Sequence, residues 1–237
     1  MDNIQLIYPY YDNPGMFYEQ QSVWAEWDRE LKAKVKIIMV DDSSPNDAAE
    51  KYYCSVPGLD FELYRVHKNI PWNQNGAHNL AMHVADDGWC LMTDIDHVLS
   101  NENLARLLAI EPDEGMYYTL GRRQFGHLRV PYKRHPNSWL LTREMFLTSG
   151  GYDEDFSGYY GSDSVFKVAL SHVGTHIKLE LPYLIVYNED DIPDANTREF
   201  ERKHSKYWSL NHPHLLAKRR HWRIALNPIR FPWERIL

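Results

Sequence analysis

At 237 residues, 43% apolar and 25% charged, the chain has the composition of one soluble globular domain and not of a disordered or low-complexity polymer. Its net charge of −7 hides a division: residues 198–237 hold ten Lys/Arg against three Asp/Glu, a local +7, and the preceding body carries −14. An acidic body argues against a generic nucleic-acid binder, and two cysteines without CxxC spacing, Cys54 and Cys90, argue against a disulfide framework or a cysteine zinc site.

The N-terminal stretch MDNIQLIYPYYDN lacks the basic start and apolar run of a secretory signal, and no segment reaches the roughly 18–20 apolar residues that span a bilayer. A cytosolic or membrane-surface location is therefore expected. The first strand is read over Ile4–Tyr8, ended by Pro9 and the polar turn YDNPG. Met16–Ala33 follows as a helix, with Val23, Trp24, Trp27 and Leu31 near helical spacing. Val35–Val40 is an unbroken apolar run, the mark of a strand covered on both faces, and stops at Asp41-Asp42-Ser43-Ser44-Pro45, where a helix could be capped. Phe61–Val66 is a third strand, Asn79–Val84 a helix, and Trp89–Thr93 a fourth strand ending on Asp94-Ile95-Asp96. Cys90 in that apolar run reads as a buried, inert thiol. Asn101 caps a short helix through Ala109; strands follow at Met116–Leu120 and Trp139–Thr142, then a glycine-rich stretch from Gly150 to Gly161, a helix over Asp163–Val173, and strands near Ile177 and Leu184.

Strands alternating with helices predict an α/β fold with a mostly parallel sheet flanked by helices. Ligands of such sheets gather beyond the carboxyl ends of the strands. Two strands here end in acid pairs, which places both pairs along one rim.

Asp94 and Asp96, alternating after a buried strand, can aim carboxylate oxygens at one divalent ion, and Mg2+ and Mn2+ prefer oxygen ligands. Such triplets also arise by chance in loops and as helix caps. Asp41 or Asp42 suits a hydrogen bond to a base imide or a ribose hydroxyl, or equally an N-cap or Asx turn. The segment GGYDEDFSGYYGSD, residues 150–163, combines glycines that let backbone approach a ligand with aromatics that offer stacking faces. Asp163 opens the following helix, where its carboxylate could serve as a base within reach of a hydroxyl or simply cap the helix. Trp72 could stack on a sugar or pack. Arg122, Arg123 and His127 could approach a phosphate, although a solvated loop is the simpler reading.

Taken in order, VDDSSPND, NIPWNQNGAHNLAM, LMTDIDHVLS and GGYDEDFSGYYGSDS resemble the successive motifs of GT-A glycosyltransferases, of the family 2-like and β-1,4-galactosyltransferase-like kinds. The resemblance spans Ile4–Val173. It implies a GT-A (Rossmann-like) domain over residues 1–197 with a basic, aromatic C-terminal extension over 198–237. It further implies transfer of a sugar from a nucleotide-sugar donor, usually a UDP-sugar, to a glycan or other hydroxyl acceptor with inversion. The resemblance places Tyr8, Pro9, Asp41, Asp42, Asn69, Gly76, Asn79 and Asp94 at the donor. It places Asp94, Asp96 and, as a third ligand, His204 (with His176 a weaker candidate) on Mn2+ or Mg2+, with Asp163 as general base. Ser162 stands where the related motif has Glu, and His78 where many relatives have Arg.

The tail, with Lys218, Arg219, Arg220 and Arg223 among Trp222, Phe231 and Trp233, is suited first to packing on the body, then to an anionic membrane surface, then to nucleic acid. Two alternatives accompany the transferase reading: a glycosyltransferase acting on modified bases of DNA, and a nucleotide-sugar-binding protein without catalysis.

Overall fold

The computed structural model describes residues 1–70, 73–135, 137–158, 162–195 and 229–237, with positions 213, 215 and 217. Trp72, His204 and the tail's basic run from Lys218 to Arg223 lie outside the described residues.

In chain order the elements are β1 (Ile4–Tyr10), α1 (Pro14–Glu26), α2 (Arg29–Lys32), β2 (Val35–Asp41), β3 (Asp60–Val66), α3 (Gln74–Val84), β4 (Trp89–Met92), β5 (His97–Val98), α4 (Asn101–Leu108), β6 (Met116–Gln124), β7 (Trp139–Thr142), α5 (Arg143–Thr148), α6 (Ser162–Ser171), β8 (Thr175–Val186) and β9 (Trp233–Arg235). They build one nine-stranded sheet in the order β5-β8-β6-β7-β4-β1-β2-β3-β9. The block β4-β1-β2-β3 is parallel, whereas β7, β5 and β9 each run antiparallel to their partners.

Strand alternation divides the apolar side chains between two layers. Leu6, Tyr8, Ile37 and Met39 face α1, whose Phe17 and Trp24 complete that core. Ile7, Ile38, Val40, Cys90 and Met92 face α3, together with Phe146, Tyr152 and Phe166. The unbroken apolar run of β2 is thus covered on both faces, as its sequence predicts.

Several boundaries differ from expectation. β1 runs through Pro9, because the parallel ladder on that strand continues to Tyr10↔Asp41. The helix expected over Met16–Ala33 is split: Trp27 leaves helical geometry, is buried, and donates its indole N–H to the Leu99 carbonyl at 2.9 Å. No long helix follows the Asp41-Asp42 pair. Asp41 instead accepts from the backbone N–H groups of Ser44 (2.7 Å) and Ala49 (2.9 Å), which folds residues 42–48 into a loop. α4 is capped by Ser100, whose hydroxyl accepts from Asn103 N–H, and not by Asn101. The strands expected near Ile177 and Leu184 are one strand, β8. Its register against β6 shifts at Gly121, where a Cβ would sit 2.5 Å from the Glu180 carbonyl oxygen. β9 lengthens the sheet beyond β3, and Phe231 just before it is buried against α3.

His78 lies fully buried in the α3-side core, parallel to the Tyr152 ring at 5.3 Å, with neither ring nitrogen hydrogen-bonded. Burial pushes its pKa down to about 3. The unfolded chain therefore takes a proton below about pH 6.5 that the folded chain refuses, so this histidine costs stability as pH falls from about 6.5 toward 3. Replacing His78 by Leu should make the variant's stability, relative to the native protein, rise by up to about 1.4 kcal/mol per pH unit across that window. Urea melts at pH 7, 6 and 5 read this out, and a difference that stays constant with pH would refute it.

Candidate active site at the carboxyl ends of the parallel strands

β4 leaves the ladder after Met92, and Thr93 is tied back by its N–H to the Ile7 carbonyl (3.1 Å) and by its hydroxyl to Ser138 Oγ (2.9 Å). The next residues form a tight turn closed by His97 N–H on the Asp94 carbonyl at 3.1 Å. This turn puts Asp94 Oδ2 3.2 Å from Nε2 of His135, while the rings of His97 and His135 stand 4.8 Å apart. One ligand atom each from Asp94, His97 and His135 lie within 4.8 Å of one another, a spacing that suits a single cation.

The chemistry of this set fits a divalent metal. His97 is 0% exposed and neither of its ring nitrogens has a hydrogen-bond partner, an expensive state for a buried imidazole unless a ligand completes it. Burial, opposed in part by Asp94, holds the His135 pKa down at about 4, so its lone pairs are open at neutral pH as ligation requires. Asp96 is buried with Oδ1 2.9 Å from His97 Nδ1, the distance of an ion pair without the alignment of a hydrogen bond. Burial alone would raise the Asp96 pKa, but His97, His135 and Arg122 together hold it below the usual carboxylate value. Arg122 is 7% exposed, donates to the Lys133 carbonyl at 2.7 Å, and places a buried positive charge beside the two acids. The simpler reading of a solvated loop is thus overturned for Arg122, and also for Arg123, which lies half-buried in β6 with its guanidinium 5.2 Å from the Tyr183 ring centre; His127 is exposed.

Asp163 opens α6 near this cluster and is joined to it by an amide relay. Gln74, at the start of α3, donates to Asp94 Oδ1 at 2.6 Å and accepts from Asn137 Nδ2 at 3.0 Å. Asn137 and Ser162 are in turn hydrogen-bonding neighbours of Asp163. Burial first, and the charge of Asp94 second, push the Asp163 pKa up to about 6.

The acid pair after β2 separates into two roles. Asp41 is fully committed: beyond the two loop N–H groups, its Oδ2 accepts from Arg65 Nη2 at 3.1 Å. Asp42 is 4% exposed and its Oδ1 has no partner; burial raises its pKa well above the usual carboxylate value, with Asn73 opposing the shift. Asn73 precedes Gln74, so the start of α3 lies against both Asp42 and Asp94.

Of the other residues singled out by sequence, Tyr8 is fully buried against Trp24 in the α1-side core, and Pro9 is half-buried. Asn69 is exposed and accepts from Tyr11 Oη at 3.2 Å. Gly76 is needed where it stands, since a Cβ would meet Phe231 at 2.8 Å and the Asn73 amide at 2.9 Å. Asn79 spends its whole amide on the turn after α5: it donates to the Tyr152 carbonyl (2.8 Å) and Glu154 Oε1 (2.9 Å) and accepts from Tyr152 N–H (2.9 Å). Glu154 also accepts from Arg230 N–H at 3.0 Å, which ties the C-terminal segment to that turn. His176 bonds Thr119 Oγ1 at 3.0 Å and stacks on Tyr117. The residues that sequence reasoning missed are His97 and His135. The only local signal was the histidine directly after Asp96, and nothing in sequence joined it to a residue 38 positions later.

No family model matches this sequence, and no curated protein sequence matches it. Solved structures do. S. aureus TarS 1–349 in complex with UDP superposes with a TM-score of 0.63 and 15% identity, over 91% of this chain and 73% of that one. The same protein in complex with UDP-GlcNAc gives 0.63 and 15% over 90% and 66%. The mannosyltransferase PcManGT from Pyrobaculum calidifontis, in complex with GDP-Man and Mn2+, gives 0.60 and 15% over 92% and 62%. The fold is that of the GT-A glycosyltransferases, with a mostly parallel sheet and flanking helices. Among the described residues no helix is long and apolar enough to cross a membrane.

Proposed function

We propose that the chain is a metal-dependent glycosyltransferase that moves a sugar from a UDP-sugar to an acceptor hydroxyl with inversion. One observation carries this reading: on a GT-A scaffold, Asp94, His97 and His135 converge at the end of β4, and the Gln74–Asn137 relay joins them to Asp163. Asp94, His97 and His135 would hold Mn2+ or Mg2+, with Asp96 bracing His97. When bound, the ion supplies Lewis-acid stabilisation of the negative charge gathering on the departing diphosphate.

The chain's own residues do the rest. Asp163, ionised above about pH 6, accepts the proton of the acceptor hydroxyl. The acceptor oxygen forms a bond to the anomeric carbon as the bond from that carbon to the diphosphate oxygen breaks. The nucleoside diphosphate leaves with the electron pair, and attack from the opposite face inverts the centre. Asp42 is the donor-reading acid of its pair. Its buried Oδ1, which has no partner, can accept the N–H of a uracil imide edge. A glycan or another hydroxyl compound serves as acceptor.

A thermal-shift screen of UDP-, GDP- and dTDP-sugars with and without Mn2+ tests the reading. At a ligand concentration of about 100 Kd the stabilisation is about 2.7 kcal/mol, which for a chain of this size is about 5–10 °C in Tm. A UDP-sugar with Mn2+ should produce it, and the Asp42→Ala variant should lose the preference for uracil. A screen in which no nucleotide sugar moves Tm would sink the proposal.

A further inference from the structure

We propose that Gln20, on the helix behind the active site, is a positioning residue for the metal centre, an inference that rests on the metal-dependent transfer proposed above.

Gln20 sits in α1 and is 0% exposed, among the buried Met16, Phe17 and Trp24 and beside a second buried amide, Gln21, which bonds elsewhere, to the Phe17 and Tyr52 carbonyls and the Cys54 N–H. A buried amide in an apolar layer is costly unless its hydrogen bonds are made. Its Nε2 makes two, to the carbonyl of Ile95 at 2.7 Å and to the carbonyl of His97 at 2.7 Å. These peptides flank Asp96 in the loop that also carries Asp94 and His97. The Oε1 of Gln20 has no partner, so the side chain is held there for its two N–H groups alone. A flipped amide would set an oxygen against two carbonyl oxygens, which fixes the assignment.

The carbonyl between those two is also held. Tyr187 N–H donates to the Asp96 carbonyl at 3.0 Å, and the Tyr187 hydroxyl donates to Glu19, the neighbour of Gln20, at 2.6 Å. One turn of α1 therefore fixes three consecutive carbonyls, two directly and one through Tyr187. The helix itself is pinned at its start, where Asp194 accepts from the N–H groups of Gly15 (2.6 Å) and Met16 (2.9 Å).

The one polar group beside the His97 ring nitrogens is Asp96 Oδ1, 2.9 Å from Nδ1 and out of hydrogen-bond alignment, so the direction of the ring depends chiefly on the backbone that carries both residues. Fixing the peptide planes 95–96, 96–97 and 97–98 sets the Cα–Cβ vectors of Asp96 and His97, and the His97 N–H on the Asp94 carbonyl links that constraint to Asp94. Supporting contacts of this kind govern how well a metal site is preformed, and their loss typically costs about 10–100-fold in metal affinity.

The test uses the full chain and Mn2+ alone, without nucleotide or acceptor. Mn2+ binding to the native protein, Gln20→Met and Gln20→Asn is measured by titration calorimetry or by the EPR signal of free Mn2+. Leu63→Ala, in the same core layer but on β3 toward the far edge of the sheet, serves as a variant that loses stability without touching the loop. The expected result is a Kd weakened about 10–100-fold in Gln20→Met, a loss of similar direction in Gln20→Asn, and an unchanged Kd in Leu63→Ala. Should Gln20→Met fail to fold, Gln20→Asn, which keeps an amide one methylene too short to reach both carbonyls, decides the matter. A folded Gln20 variant that binds Mn2+ as tightly as the native protein overturns the proposal. A native protein that binds no Mn2+ overturns both this inference and the metal-dependent reading; one that binds Mn2+ but transfers no sugar overturns only the transferase reading.

Discussion

Substituting Asn for Asp163 should lower kcat by about 10²–10⁴-fold while leaving the donor KM and Mn2+ binding within about 2-fold, since a positioned base contributes on that scale. The isosteric amide keeps the hydrogen-bonding neighbours Asn137 and Ser162 in place, so the loss isolates proton transfer from folding. The pH profile gives an independent readout. With the carboxyl pushed up to about 6, chiefly by burial, the base is protonated below that pH, so kcat/KM should fall as pH drops through about 6. A cation bound at Asp94 offsets the part of the shift that Asp94 causes, which moves the acid limb lower and never higher. In Asp163→Asn the limb assigned to this group should disappear. Near-normal transfer by that variant, with donor and metal present, would show that another group takes the proton.

The second large effect concerns the two histidines proposed to hold the metal. His97→Ala and His135→Ala should each lower kcat/KM about 10³-fold at fixed Mn2+, the rate equivalent of several kcal/mol of lost charge stabilisation. Unlike Asp163→Asn, both losses should be partly recovered by excess Mn2+, because the defect lies in holding the ion. Two imidazoles with one carboxylate also suit borderline first-row metals better than Mg2+, which takes oxygen ligands. At equal low concentrations Mn2+ should therefore support more activity than Mg2+, and the gap should narrow in the histidine variants. The outcome that would restore the simpler acid-pair site is Mn2+ binding lost in Asp96→Asn and retained in both histidine variants.

Both predictions turn on residues whose legibility in sequence was very different. Asp163 was marked by its place after a glycine-rich, aromatic stretch and at the start of a helix. Asp94 was marked by its place after a buried strand. His135 carried no mark at all. It lies in the loop between β6 and β7, and only the return of that loop onto the end of β4 brings it 3.2 Å from Asp94. Gln20 was equally silent, one polar residue on a helix read for its apolar spacing. The pair Asp41-Asp42 illustrates the same limit in a smaller space. The two residues are adjacent and chemically identical, yet Arg65 and two loop N–H groups consume the first, whereas Oδ1 of the second has no hydrogen-bond partner.

The order of strands and helices, the two-sided burial of β2 and the position of acids beyond β4 are properties of local pattern. A period of two, an apolar run and a break at polar residues are written into consecutive side chains, and the backbone answers them wherever they occur. The end of a helix at Trp27, the joining of two expected strands into β8 and the C-terminal strand beside β3 depended on partners far along the chain. So did the candidate ligand set. The approach of His135 to Asp94 and His97, and the brace from Gln20, are contacts across 38 to 77 positions of sequence separation, and such contacts exist only once the sheet has brought its loops to one rim.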